Sequence, residues 1–201
     1  MKKAVKHTLI ITLGIIHFAS PSKTFGQLRP QNLRVAFYNE AIAVPSLKVL
    51  NKPLHPTLNI GSDFMVKYRK HFHQSLGMDA YMYHHKTKEN AIMLDATYRF
   101  GYHFNCGLQV NLISALGFKH ASLTGEKFEQ NETGAYEQVS YSGKSMANLK
   151  LGAGLAYPIS PRYLAFINYK TMLSGPSGGI FIPFDMQTFF GGGIQFNFIQ
   201  E

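Results

Sequence analysis

Seven titratable residues share one kind of surrounding: Asp63, Lys67, Asp79, Asp95, Arg99, Lys150 and Lys170. Each sits in a stretch where apolar and polar residues alternate, and each falls on the polar side. Such charges can do one of two things. They can pair with each other and fill an interior, since a buried charge is tolerated only with a partner. Or they can line a path for ions or a small ligand. Both signs occur on several of the stretches, so the sequence points first to a plugging network and second to a narrow channel.

Other residues with chemical potential lack companions. His84 and His85 fall in the polar segment from His84 to Asn90, which reads as a solvated loop tip. His71 and His73 alternate across a strand start, face opposite sides and have no third ligand nearby, so no metal site is expected. Ser122 is a possible nucleophile, with His84 and His85 as possible bases, but no loop Asp stands beside a Ser. A nucleophile needs its base within hydrogen-bond reach, and nothing in the spacing argues for that. The expectation is a protein with no catalytic residue, no metal and no cofactor. The single Cys106 cannot form an intramolecular disulfide and reads as a small residue at a strand start.

The elements that carry the seven charges are strands. The clearest is Met186–Phe198, MQTFFGGGIQFNF. Met186, Thr188, Phe190, Gly192, Ile194, Phe196 and Phe198 fall on one face, and Gln187, Phe189, Gly191, Gly193, Gln195 and Asn197 on the other. A strict period of two over this length is an extended strand. Its length matches the roughly 9–11 residues that a tilted strand needs to cross a bilayer. Similar patterns run over Leu58–Tyr68, His73–Tyr83, Ala91–Tyr102, Cys106–Phe118, Met146–Tyr157 and Arg162–Met172. Asn32–Ala43 is either a first strand, with Arg34, Tyr38 and Glu40 inward, or a periplasmic segment. Asn39 spoils its apolar face.

The breaks between these stretches alternate long and short. Lys119–Ser145 is the longest, and it reads as a loop without internal structure. An even strand count with short turns on one rim and long loops on the other is the pattern of outer-membrane barrels. The expected fold is therefore all-β: an eight-stranded antiparallel transmembrane β-barrel with short periplasmic turns and longer outer loops. Tyr68, Tyr98, Phe100, Tyr157, Tyr163, Phe196 and Phe198 would form an aromatic girdle near the short-turn rim. Eight strands leave an interior that side chains just fill.

Residues 1–26 read as a cleaved signal peptide: Lys2, Lys3 and Lys6 precede the apolar run Thr8–Ala19, and Thr24 and Gly26 precede Gln27. Residues 27–201 then form the barrel domain. The formal charge of +9 belongs partly to this leader. Sixteen basic residues against eleven acidic ones leave +5 after cleavage. That modest excess gives no reason to expect nucleic acid as a partner. The mean hydropathy of −0.09 suits a barrel whose polar inside dilutes its apolar outside. A soluble secreted barrel is the alternative that shares this alternation.

The segment Gly193-Ile194-Gln195-Phe196-Asn197-Phe198 resembles the C-terminal assembly signal of bacterial outer-membrane barrels, with Gly193, Phe196 and Phe198 in the marked positions. Gly191 replaces the usual polar residue, and Ile199-Gln200-Glu201 follow the last aromatic. Together with the architecture, this makes the mature chain resemble the small eight-stranded barrels, the class of the OmpA barrel, OmpX and OmpW. The resemblance implies a Gram-negative outer membrane, the barrel-assembly machinery as a partner during insertion, membrane lipid around the wall, and a porin-like class. It implies envelope integrity, adhesion through the outer loops to a surface ligand, or passage of small solutes. Two enzyme families of this architecture act on lipid A. The His-x-Ser-Asn motif of the deacylases is absent, because no His follows His120. The His, Asp and Ser set of the palmitoyltransferases lacks its Asp.

Overall fold

The computed structural model describes residues 29–42, 54–85, 88–124, 127–130, 134–139, 143–176 and 184–198. The signal-peptide segment lies outside them, as do residues 199–201. The strands are β1 (Asn32–Ala41), β2 (Pro56–Tyr68), β3 (Phe72–His84), β4 (Glu89–His103), β5 (Gln109–Leu123), β6 (Lys127–Gln130), β7 (Tyr136–Val139), β8 (Lys144–Pro158), β9 (Tyr163–Gly175) and β10 (Asp185–Asn197). Eight of them close an antiparallel barrel in the order β1-β10-β9-β8-β5-β4-β3-β2, and β6 and β7 form a separate hairpin.

Each wall strand alternates buried and exposed residues, because each has a lumen face and an outside face. β1 is a true strand: Arg34, Tyr38 and Glu40 are buried, while Leu33, Val35 and Phe37 are exposed. It closes the ring by pairing Ala36 with Gly193 and Phe37 with Gly192. The outside is apolar over most of its height. Phe118 is 72% exposed, Ile92 64% and Leu112 59%. Among the described residues, no helix is long and apolar enough to cross a membrane.

The inside is built by size alternation. Opposite several large inward polar residues stands a glycine. A Cβ on Gly61 would come within 1.8 Å of Asp79 Oδ1, and one on Gly117 within 2.2 Å of Asp95 Oδ1. The glycine hydrogens thus define the space that the carboxylates occupy.

Three expectations need correction. The register of β2 against β3 shifts between Asp63 and Met65. A bulge of this kind places two residues against one and inverts the alternation beyond it. Phe64 and Met65 both sit with outward Leu76 and Met78. Val66 then pairs with buried Ser75, Lys67 with Gln74, and Tyr68 with His73. Lys67 therefore leaves the lumen and is exposed. Tyr68 swings to the lumen mouth, with its ring 6.1 Å from those of both His73 and His103.

The second correction concerns length. β4 begins at Glu89, β5 runs on to Leu123 and β8 begins at Lys144. Part of the break Lys119–Ser145 is thus wall strand, and another part is the β6–β7 hairpin. Cys106, by contrast, lies in an exposed turn before β5, beside Gly107 with a φ of 87°.

Candidate functional site

The lumen is the candidate site, and it is stacked in layers from the short-turn rim outward. At the lower end, two arginines and two aspartates form one cluster. Arg34 Nη1 donates to Asp63 Oδ2 at 2.5 Å, and Nη2 to Asp79 Oδ1 at 3.3 Å. From the other wall, Arg99 Nη1 donates to Asp63 Oδ1 at 2.8 Å and Nη2 to Asp79 Oδ2 at 2.5 Å. Each carboxylate is thus gripped by both guanidiniums. Asn32 Nδ2 donates to Asp63 Oδ2 at 2.9 Å, and the Thr97 hydroxyl donates to Asp79 Oδ2 at 2.7 Å. A planar guanidinium with several fixed donors suits this crossed arrangement better than an ammonium would.

The middle layer uses lysines and aromatic rings. Lys150 Nζ pairs with Asp95 and lies 4.0 Å from the Tyr81 ring centroid. Lys170 Nζ donates to the Tyr81 hydroxyl at 2.9 Å and sits 4.6 Å from the Tyr38 ring centroid. A desolvated ammonium over an aromatic face is stabilised by the ring quadrupole. Met93, Met172 and Phe189 fill the adjoining space and are almost wholly buried.

Nearer the loop rim, Lys119 Nζ donates to Glu89 Oε1 at 2.5 Å and to Gln187 Oε1 at 3.1 Å. The Tyr83 hydroxyl donates to the same Glu89 oxygen, and Gln187 Nε2 donates to it at 3.1 Å. Above this layer, Glu40 lies with His55 and His85, whose rings stack at 3.6 Å. Burial, with His55 and Lys88 nearby, pushes the His85 imidazole below its ordinary pKa.

Of the seven charges picked out by spacing, the structure brings six into the lumen. Asp63, Asp79 and Arg99 share the lower cluster, and Asp95, Lys150 and Lys170 form the middle layer. Lys170 bonds the Tyr81 phenol in place of the aspartate partner expected for it. Lys67 lies outside the cluster, for the reason given by the bulge. Arg34, Glu89 and Lys119 take part although the spacing did not single them out. Arg34 sits on the segment whose strand character was left open, while Glu89 and Lys119 sit where loops were expected. For Glu89 and Lys119 the signal was the continued alternation of polar residues beyond the apolar part of the wall.

Of the possible bases, His84 shares an outward groove with the possible nucleophile Ser122, while His85 is buried. His85 points into the lumen, so it is not the solvated tip expected. His84 is exposed and bonds Asn90. His84 lines an outward groove of about 420 Å³ with Phe37, Leu58, Met82, Ile92 and His120, and Ser122 also borders it. The His120 ring nitrogen Nδ1 lies 3.0 Å from Ser145 Oγ, at the outer end of the wall. His71 and His73 do diverge: His71 stacks on Tyr102 at 5.8 Å, and His73 faces His103 at 4.5 Å inside the mouth.

The short-turn rim carries the aromatic contacts of a girdle. Phe72 packs on Phe100 at 5.6 Å, Tyr163 on Phe196 at 5.2 Å, and Phe196 on Phe198 at 5.6 Å. A closed ring of eight antiparallel strands, apolar outside and polar inside, is the architecture of the small outer-membrane barrels. The chain has that fold.

No protein-family model matches the chain, and no curated protein matches it. Solved structures do. The chain is similar to the Neisserial surface protein A, with 11% identity over 83% of this chain and 95% of that one, at a TM-score of 0.49. It is similar to the outer membrane enzyme PagL, at 9% identity over 83% and 99% of the two chains, with a TM-score of 0.48. A third is the N-terminal β-barrel domain of Pseudomonas aeruginosa OprF, at 17% identity over 84% and 98%, with a TM-score of 0.40. These likenesses are of fold.

Proposed function

We propose that the protein is a non-conducting, non-catalytic outer-membrane barrel of the structural or surface-interaction type, working through its outer loops. The observation that carries this is the closed lumen. Among the described residues, five cations and five carboxylates are buried inside it: Arg34, Arg99, Lys119, Lys150 and Lys170 against Asp63, Asp79, Asp95, Glu40 and Glu89. A wet path would leave these side chains in contact with water. Their near-zero exposure at successive levels supports a plug held in shape by opposite charges.

The membrane setting is supported by the outside of the wall. A soluble protein rarely exposes a contiguous apolar patch beyond a few hundred Å², and here the apolar face runs around the ring. On this reading lipid covers the wall, the aromatic rim marks the periplasmic interface, and Gly193, Phe196 and Phe198 serve the assembly machinery. Any ligand meets the loops that follow β1, β3, β5 and β9.

The test is electrical. Purified mature barrel, reconstituted in planar bilayers, is expected to show no steady unit conductance. Large, stable channel currents from the unmodified protein would overturn the closed-lumen reading in favour of a channel. Recovery of the protein in the soluble periplasmic fraction without detergent would overturn the membrane reading.

A further inference from the structure

Glu40, His55 and His85 form a cluster at the outer end of the plug, where no cation of the plug bonds Glu40. They come from three segments at the loop end: the last turn of β1, the residue before β2 and the residue after β3. Their side chains are 0%, 12% and 8% exposed. One ligand atom from each lies within 4.8 Å of the others. His55 Nδ1 is 3.7 Å and His85 Nε2 3.9 Å from the same oxygen, Glu40 Oε2.

These distances are too long for hydrogen bonds, and neither carboxylate oxygen of Glu40 accepts one. A fully buried carboxylate in this condition calls for a partner. The nearby cations are engaged elsewhere: Lys119 bonds Glu89 at 2.5 Å, and Lys88 lies 3.7 Å from Asp185. Protonating both stacked imidazoles would set two positive charges against each other at 3.6 Å. A single divalent cation satisfies all three groups, because it accepts lone pairs from two neutral imidazoles and one carboxylate.

The geometry fits such an ion. Ligand bonds of about 2.0–2.1 Å in a tetrahedral site place donor atoms about 3.4 Å apart. The two separations to Glu40 need to shorten by about half an ångström or less, and the two histidine nitrogens, within 4.8 Å of each other, close to the same distance. The supports are in place as well. The His55 amide donates to Asn39 Oδ1 at 2.7 Å; His55 Nδ1 also lies 3.1 Å from the Glu40 carbonyl oxygen, a contact it gives up when its lone pair turns to the ion. The His85 amide donates to the Glu89 carbonyl at 2.9 Å, and the Thr124 hydroxyl donates to the His85 carbonyl at 3.1 Å. These hydrogen bonds fix the backbone that carries both histidines.

We propose that Glu40, His55 and His85 bind a divalent transition-metal cation at the outer end of the lumen, with Zn²⁺ the ion their donor set matches. Two imidazoles and one carboxylate leave a fourth position open for water or an outside ligand. The ion ties the segments flanking two outer loops to the end of β1. This site does not depend on whether the lumen conducts.

The test uses the full mature barrel, refolded in detergent and stripped with a chelator. Zn²⁺ is then titrated against a chromogenic competitor. One Zn²⁺ per chain is expected. Glu40→Gln and His85→Ala are each expected to weaken binding by more than about 100-fold, the upper figure for losing a supporting group. His84→Ala, on the exposed neighbour, should leave binding unchanged. X-ray absorption of the zinc-loaded unmodified barrel should show two imidazoles in the first shell, a readout that requires no variant to fold. Failure to take up Zn²⁺ stoichiometrically, uptake unaltered by both substitutions, or a shell without imidazole would each overturn the proposal.

Discussion

Replacing Arg99 with alanine tests the closed lumen at its most connected point. Arg99 bonds Asp63 at 2.8 Å and Asp79 at 2.5 Å, and both carboxylates are almost fully buried. Removing one partner of a buried ion pair costs roughly 3–5 kcal/mol, because the other charge is left without compensation. Here Arg34 still holds both carboxylates, and Asn32 and Thr97 still donate to them. The lower end, about 3 kcal/mol, is therefore expected, which is roughly a hundredfold in the folding equilibrium. The chain has no Trp, so urea titration in lipid vesicles is best followed by the gel mobility of folded and unfolded forms. A linear extrapolation then gives the free-energy difference. A companion variant, Arg99→Met with Asp79→Asn, removes charge from both sides and should recover part of the loss. An Arg99→Ala cost below about 1 kcal/mol, the size of an exposed pair, would refute the reasoning. It would mean that water already screens these charges and that the lumen is wet.

Two further predictions follow from the placement of single side chains. Leu112 is outward and Asn111 inward, so Leu112→Arg should cost about 2–4 kcal/mol in the same titration, the midplane figure for Arg. Asn111→Ser should cost much less, and equal costs would show that inside and outside are exchanged. Because the β2 bulge turns Lys67 outward, Lys67→Ala should change stability by no more than about 0.5 kcal/mol. Lys150→Ala, which strips the partner from buried Asp95, should cost several times as much, and a Lys67 effect of equal size would contradict the register.

The alternation of polar and apolar residues was enough to read seven wall strands and to offer Asn32–Ala43 as an eighth, with their inside and outside and six of the seven charges. Period two survives without any long-range information, because one face of each strand meets an apolar surrounding and the other a crowded polar lumen. The bulge at Asp63/Met65 is different. No glycine or proline marks it, and Phe64, Met65 and Val66 are all apolar, so no single residue announces the slip. Only the pairing with β3 reveals that Ser75 faces Val66 across the ladder, and the fate of Lys67 follows from that pairing.

The loop end was hard to read for a related reason. On the membrane reading, the outer part of each strand rises above the lipid, where the outside face has no need to be apolar. Glu89 and Asn90 at the start of β4, and Lys119, His120 and Ser122 at the end of β5, then look like loop residues although they are paired in register. The inward members keep the lumen pattern: Glu89 and Lys119 are buried and bonded, while Asn90 and His120 are outside. The rule that identifies a strand by its apolar face therefore fails where the apolar solvent ends. Glu40, His55 and His85 gather in this zone, where charge spacing along one strand carries no information. Each comes from a different strand end, and the pairing of β1 with β2 and of β2 with β3 is what sets Glu40 beside them. A cluster assembled by pairing between strands leaves no local signature.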